Sequence, residues 1–228
     1  MRVISAVAAP TKRSTAAEWR GPIWLIILGL VPALAGTVRV VQLAVGVEET
    51  PDNARFVGSP GPVVLHVIAV VIFSFAGALQ FAPTLRRGRQ WHQRAGWAIV
   101  GGGIVAAASG AWMTHAYALP ASDNELLGVY RYVFAGAMAG SLILAVFALR
   151  ARKFARHGAW MTRGYAIGLG AGTQVFTTIA WLIPFGKPTP LVRSSLMLAG
   201  WLINVVVAER VIRKRASANR HRRPLTVA

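Results

Sequence analysis

Histidine is the residue type in this 228-residue chain whose placement could do chemistry. Four of the five histidines lie at the ends of long apolar stretches, in two layers: His92 and His157 at one end, His66 and His115 at the other. Neutral imidazole suits haem iron and other transition metals. The layers are separated by about the ~30 Å of a hydrocarbon core, so the four cannot share one metal, although each layer could form a pair. Other chemistries lack their residues. With no cysteine there are no disulfides, thiolate metal sites, iron–sulfur clusters or Cys nucleophiles. The apolar stretches hold no Asp or Glu, which argues against a carboxylate proton relay and a glycosidase pair. There is no G-x-S-x-G or H-E-x-x-H, and Gly101-Gly102-Gly103 lacks the Lys-Ser/Thr of a phosphate loop.

What surrounds the histidines suggests what they could hold. Gly96, Gly103 and Gly110 recur every seven residues, with His92 at the end of the same stripe. Gly164, Gly168 and Gly172 are spaced by four beyond His157. Such stripes would let a flat macrocycle approach the backbone, and they are equally the mark of close helix packing. Trp91, Trp97, Trp160 and Tyr165, with Arg94, Arg156 and Arg163, stand where they could contact a haem and its propionates. His66 lies one turn into its stretch. Gln80 is about 21 Å further along and about 40° around, with Phe73 and Gly77 on that face. His115 points about 140° away from His92, and His221 lies in a basic tail. Interfacial His, Trp and Arg are also ordinary headgroup anchors.

The elements that position these residues are transmembrane helices. Hydrophobic residues make up 55 %, mean hydropathy is +0.51, and charged residues are 14 % against about 25 % in soluble domains. Apolar stretches long enough to cross a bilayer must be helices, because lipid offers the backbone no partners. The fold class is all-α, a polytopic six-transmembrane-helix bundle. The spans are 23–45, 62–83, 92–117, 127–149, 164–184 and 191–207. A basic segment, 1–20, precedes the transmembrane domain, 21–208, and a basic disordered tail, 209–228, follows it. The lead-in does not read as a cleaved signal, since its apolar run is short and Lys12 and Arg13 follow. Of the 25 Lys and Arg, 20 fall in segments 2–20, 86–94, 150–163 and 210–223, alternating with loops that hold most of the acids. This positive-inside pattern places both termini in the cytoplasm of a multi-pass protein of the inner or plasma membrane. It assigns the net charge of +18 to anionic headgroups rather than nucleic acid. Arg39 and Arg131 are expected to snorkel.

Three segments carry a resemblance: Leu65-His66 with Gly77-Ala-Leu-Gln80-Phe81; Trp91-His92-Gln-Arg-Ala-Gly96; and Arg156-His157-Gly-Ala-Trp160-Met161-Thr-Arg163-Gly-Tyr165-Ala166. They resemble the bacterial and fungal membrane family catalogued as domain of unknown function 2306, over residues 60–185. That family usually has His-Arg at both inner histidines, where Gln93 and Gly158 stand here. The chain is more distantly similar to cytochrome b561-type electron carriers, which also have six spans and layered histidines. That likeness implies inner haem ligands at His92 and His157. It departs at the outer layer, because the fourth span has no histidine.

Three functions are therefore expected of the chain. The first is a transmembrane electron carrier with b-type haem, its metal held by His92 and His157 and its site completed by Arg94, Trp160, Arg163, His66 and Gln80. A quinone or small reductant would be its redox partner. The second is a non-catalytic structural or accessory protein. The third is a small-molecule carrier with Gln80, Gln174, Arg131 and Tyr130 along a path.

Overall fold

In a computed structural model, residues 15–86 and 88–221 are described, and among them there are nine helices and no strand. The helices are α1 (Thr15–Val45), α2 (Ala54–Gly58), α3 (Pro60–Leu79), α4 (Pro83–Arg86), α5 (Arg89–Ala116), α6 (Glu125–Arg150), α7 (Phe154–Gly168), α8 (Gly170–Phe185) and α9 (Pro190–His221). Five segments are long and apolar enough to cross a membrane: Trp19–Val45, Pro60–Leu79, Gln90–Ala116, Glu125–Arg150 and Pro190–Ala218. Helices α7 and α8 pass the same test together, bent by 42°, and as one element give a sixth, broken span. Large apolar side chains such as Ile68, Ile72, Val133, Phe147, Leu202 and Val206 remain exposed, as a lipid-facing surface requires.

Lipid gives helices no hydrophobic reason to associate, so the bundle is held by close packing and interhelical hydrogen bonds. Helix α3 packs on α5, α6 on α7, α8 on α9, and α1 on both α3 and α8. Phe73, 1 % exposed, stands at the centre. Its ring fills the space over Gly103 of α5 and Gly168 of α7, and Leu142 of α6 covers Gly103 and Gly164. A Cβ on Gly172 would overlap the backbone carbonyl of Leu28 in α1, and one on Gly170 the indole of Trp201. Between α8 and α9 the contacts are polar. Thr173 donates to Asn204 at 2.7 Å, Gln174 to the Met197 carbonyl at 3.0 Å and Thr177 to the Leu196 carbonyl at 3.0 Å.

Two expectations need correction. The helix of the fifth span does not start at Gly164: it starts at Phe154, because nothing in Phe154–Arg163 breaks it, and the break falls later, at Leu169. There the carbonyl of Leu169 takes a tight bond from Gly172 at 3.0 Å and a longer one, 3.5 Å, from Thr173. A tightened turn among closely packed glycines is an ordinary cause of a kink. The tail is not disordered from residue 209, since α9 continues to His221 with no Gly or Pro to stop it. Residues 222–228 of that tail, and 1–14 of the lead-in, lie outside the described residues. Arg131, expected to snorkel, pairs its guanidinium with Asp123 at 2.6 Å.

Candidate functional site

Helix α3 presents His66 and Gln80 to the same neighbour, α5. Gln80 Nε2 donates to the backbone carbonyl of His92 at 3.0 Å. At the other end of the pair, His66 Nδ1 lies 3.0 Å from both the Ala106 carbonyl and Ser109 Oγ. Ser109 spends its hydrogen on the carbonyl of Val105, at 2.6 Å. Both neighbours of Nδ1 are therefore acceptors, so Nδ1 carries the proton and Nε2 of the neutral ring is left with its lone pair.

His66 lines a cavity of about 470 Å³ inside the bundle. This lies within the ~300–1,000 Å³ of small-molecule sites. Its wall comes from every helix except α4, and it reaches the loop Tyr117–Asp123. Ile167 and Gly168 precede the break in the fifth span, Ala171 and Gln174 follow it, and all four line the space. The body is apolar, with Phe56, Val70, Phe73, Phe134, Met138 and Trp201. Trp201 stacks on Phe134 with ring centroids 4.5 Å apart.

At the loop end the lining turns polar. Asp123, 1 % exposed at its side chain, pairs with Arg131 at 2.6 Å and Arg193 at 2.8 Å. Burial raises the Asp123 carboxyl, but the two guanidiniums outweigh it and hold the group below the usual carboxylate range. Asn124 caps α6 by accepting from the Leu127 N–H at 3.1 Å, and its Oδ1 also accepts from Ser194, which ties the start of α6 to the start of α9. That tie sets Arg131 and Arg193 on either side of Asp123.

The inner layer is arranged differently. His157 Nδ1 donates to the Ala145 carbonyl of α6 at 2.9 Å, which leaves Nε2 unprotonated in the neutral ring. His92 is linked to α3 through its carbonyl. Neither histidine lines the cavity. A Cβ added at Gly96 or Gly158, beside them, would meet nothing within 4 Å, while Gly103, Gly164 and Gly168 are closed by Phe73, Leu142 and Met138. The deeper glycines are thus helix-packing positions, and no macrocycle fits against them. Arg163 grips Glu209 of α9 through two bonds, 2.6 and 3.1 Å, with its guanidinium 4.6 Å over the Trp160 ring. Tyr165 is buried in the core and donates to the Ser74 carbonyl at 2.7 Å. Arg94, Trp91 and Trp97 are exposed. His115 is exposed too and does not join His66. Among the described residues there is no group of three or more His, Asp or Glu that could hold a metal ion.

Of the residues expected along a small-molecule path, Gln174 and Arg131 line the cavity, while Gln80 and Tyr130 do not. Arg55 and Arg193 were missed. A signal for them was in the charge pattern. Only Arg39, Arg55, Arg131, Lys187 and Arg193 fall outside the four basic segments, and three of these five line the cavity. An arginine on the otherwise acidic side of a membrane protein has been placed there against the usual distribution.

No curated protein and no solved structure matches the chain. Residues 63–212 match the family described as "predicted membrane protein (DUF2306)". That stretch covers more than half of the sequence and takes in α3 through most of α9, so the chain belongs to this family of membrane proteins.

Proposed function

We propose that this protein binds a small lipophilic molecule within its helical bundle, as a membrane-embedded carrier or receptor. The observation that supports this is the cavity of about 470 Å³, apolar in its body and polar at one end, on which all the membrane spans converge. His66 is one of the polar groups on its wall, and Nε2 gives it an acceptor for a hydroxyl or amine of the ligand. A quinone is among the molecules of the right chemistry. The test is mass spectrometry of small molecules that co-purify with the protein in detergent. The native chain should carry a lipophilic molecule near stoichiometrically. Ala107→Phe, which puts a ring into the cavity, should release it. Equal or absent loading of the two proteins would overturn the reading.

A second reading, a b-type haem held by His92 and His157 for electron transfer, keeps one supporting observation. A ligating histidine usually donates its other ring N–H to a carbonyl or carboxylate, as His157 does to Ala145. The haem would supply one-electron chemistry at the basic end. It predicts a Soret band after haem supplementation that changes in His157→Ala. Its absence removes this reading without touching the first.

A further inference from the structure

We infer that the cavity's ligand is an amphiphile with an anionic head, a carboxylate or a phosphate, and that Arg131 and Arg193 hold that head at the mouth. This rests on the cavity-binding reading above and names the class of molecule bound there.

Charge is the first argument. Arg55, Arg131 and Arg193 line the cavity at the end where it meets the loops, and the acid lining it there is Asp123. The mouth is therefore a positive spot within the part of the chain that carries most of the acids, Glu48, Glu49, Asp52 and Glu125 among them. Arg55 also lines a neighbouring recess with Asp52, so its charge is shared, and the pair Arg131/Arg193 carries the inference.

Hydrogen bonding is the second. A guanidinium has five N–H donors in a planar fork. Arg131 gives Asp123 one, from Nη2, and Arg193 gives it one, from Nε. Neither makes another hydrogen bond among the described residues. Both side chains are about 30 % exposed (29 % and 30 %), whereas Asp123 between them is 1 % exposed. The buried carboxylate thus acts as a positioning residue. It holds two guanidiniums side by side and leaves most of their donors for a second anion, the kind of group that such forks bind in bidentate fashion. A cation would be repelled by that arrangement, and a neutral hydroxyl would meet the donors without the charge that strengthens such bonds.

Shape is the third. The helices that carry the two arginines also supply Phe134, Met138 and Trp201 to the wall, and α3 supplies Val67, Val70 and Phe73. A free inorganic anion would leave that apolar space empty, and a neutral hydrocarbon would leave the donors unmet. One molecule with both parts satisfies both.

The experiment uses the full chain in dodecyl maltoside, with dibromostearic acid, dibromostearyl phosphate and dibromostearyl alcohol as probes. Bromine quenches tryptophan at contact, and the signal of Trp201 is isolated as the difference between the native chain and Trp201→Phe. The acid or the phosphate should bind at least about ten-fold tighter than the alcohol, and whichever wins identifies the head. In Arg131→Gln/Arg193→Gln that preference should fall to about two-fold, with the alcohol little changed. If the double variant does not fold, Arg131→Lys and Arg193→Lys keep the charge but lose the fork, and each should weaken the anionic probe several-fold. Equal affinity of alcohol and acid, or a preference that survives loss of both forks, overturns the inference while leaving a lipophilic cavity in place. No saturable quenching of Trp201 by any of the three overturns the cavity reading and the inference together.

Discussion

Gln80 and His66 hold α3 to α5 in one register. Each bonds a backbone carbonyl of α5, that of His92 and that of Ala106, and the two donors and two acceptors are both fourteen residues apart. Interhelical bonds in membranes contribute about 0.6 kcal/mol on average and up to about 2. Gln80→Leu should therefore lower stability by about 0.5–1 kcal/mol, and His66→Ala by somewhat more. Groups this far apart act independently, so the double variant should add to within about 0.5 kcal/mol. Unfolding in detergent measures all three. A strongly non-additive double variant would show that the two ends are not separate fastenings.

The Asp123 carboxyl makes stability depend on pH. Its pKa in the folded chain lies below the ordinary value, about 3.9 in peptides. The pairing therefore contributes in full above that ordinary value and is lost as pH falls through the lower folded one. Asp123→Asn should cost about 1–3 kcal/mol at pH 7, with the arginines' partial exposure limiting the loss. The gap between variant and native chain should close as the pH is lowered below about 4. Melting curves at pH 7 and pH 3 decide this; a gap that does not change with pH would rule it out.

Glycines on one stripe should respond differently to the same methyl group. A Cβ at Gly103 would collide with Leu142 and Phe73, whereas at Gly96 nothing lies within 4 Å. Gly103→Ala should destabilise by about 1–3 kcal/mol through overpacking. Gly96→Ala should be neutral or gain up to about 1 kcal/mol from helix propensity. Similar behaviour of the two variants would contradict the packing described for α5.

Arg152 ends α6 in a left-handed conformation, φ 56°. Around it Lys153 N–H bonds the Ala148 carbonyl at 2.9 Å and Arg152 N–H that of Leu149 at 2.9 Å, the hydrogen bonds of a Schellman cap that usually has glycine at this position. Arg152→Gly should raise stability by about 1 kcal/mol. Lysine there, equally strained, should give no gain.

The charge asymmetry fixes an expected orientation, and the absence of cysteine makes it easy to check. Single cysteines at Ala151, in the basic turn, and Ala121, in the Asp123 loop, should label with an impermeant maleimide from opposite faces. Cytoplasmic labelling of Ala121→Cys would invert the assignment.

The sequence made the spans legible because hydropathy and length are local properties, and the face shared by His66 and Gln80 because helical spacing is regular. It could not tell which helix that face would meet. Asp123, Arg131 and Arg193 come from a loop and two helices up to 70 residues apart, and only the packing of α6 on α9 joins them. The same limit applied to Arg163, whose place in the inner layer suggested contact with a haem propionate while its partner, Glu209, lies 46 residues away. The glycine stripes were seen correctly as smooth faces. Whether a cofactor or a neighbouring side chain filled them depended on where Phe73 and Leu142 pointed.

Helix α9 carries Arg193 at the cavity mouth, Trp201 on its wall and Glu209 under the grip of Arg163, then runs on to His221 without a break. A rod with three such fastenings has little freedom to slide in parts. Axial displacement of its basic extension by one residue, about 1.5 Å, would carry the mouth, the wall and the Arg163 clasp along by the same amount. The two surfaces of the membrane are thereby geared to each other through a single element.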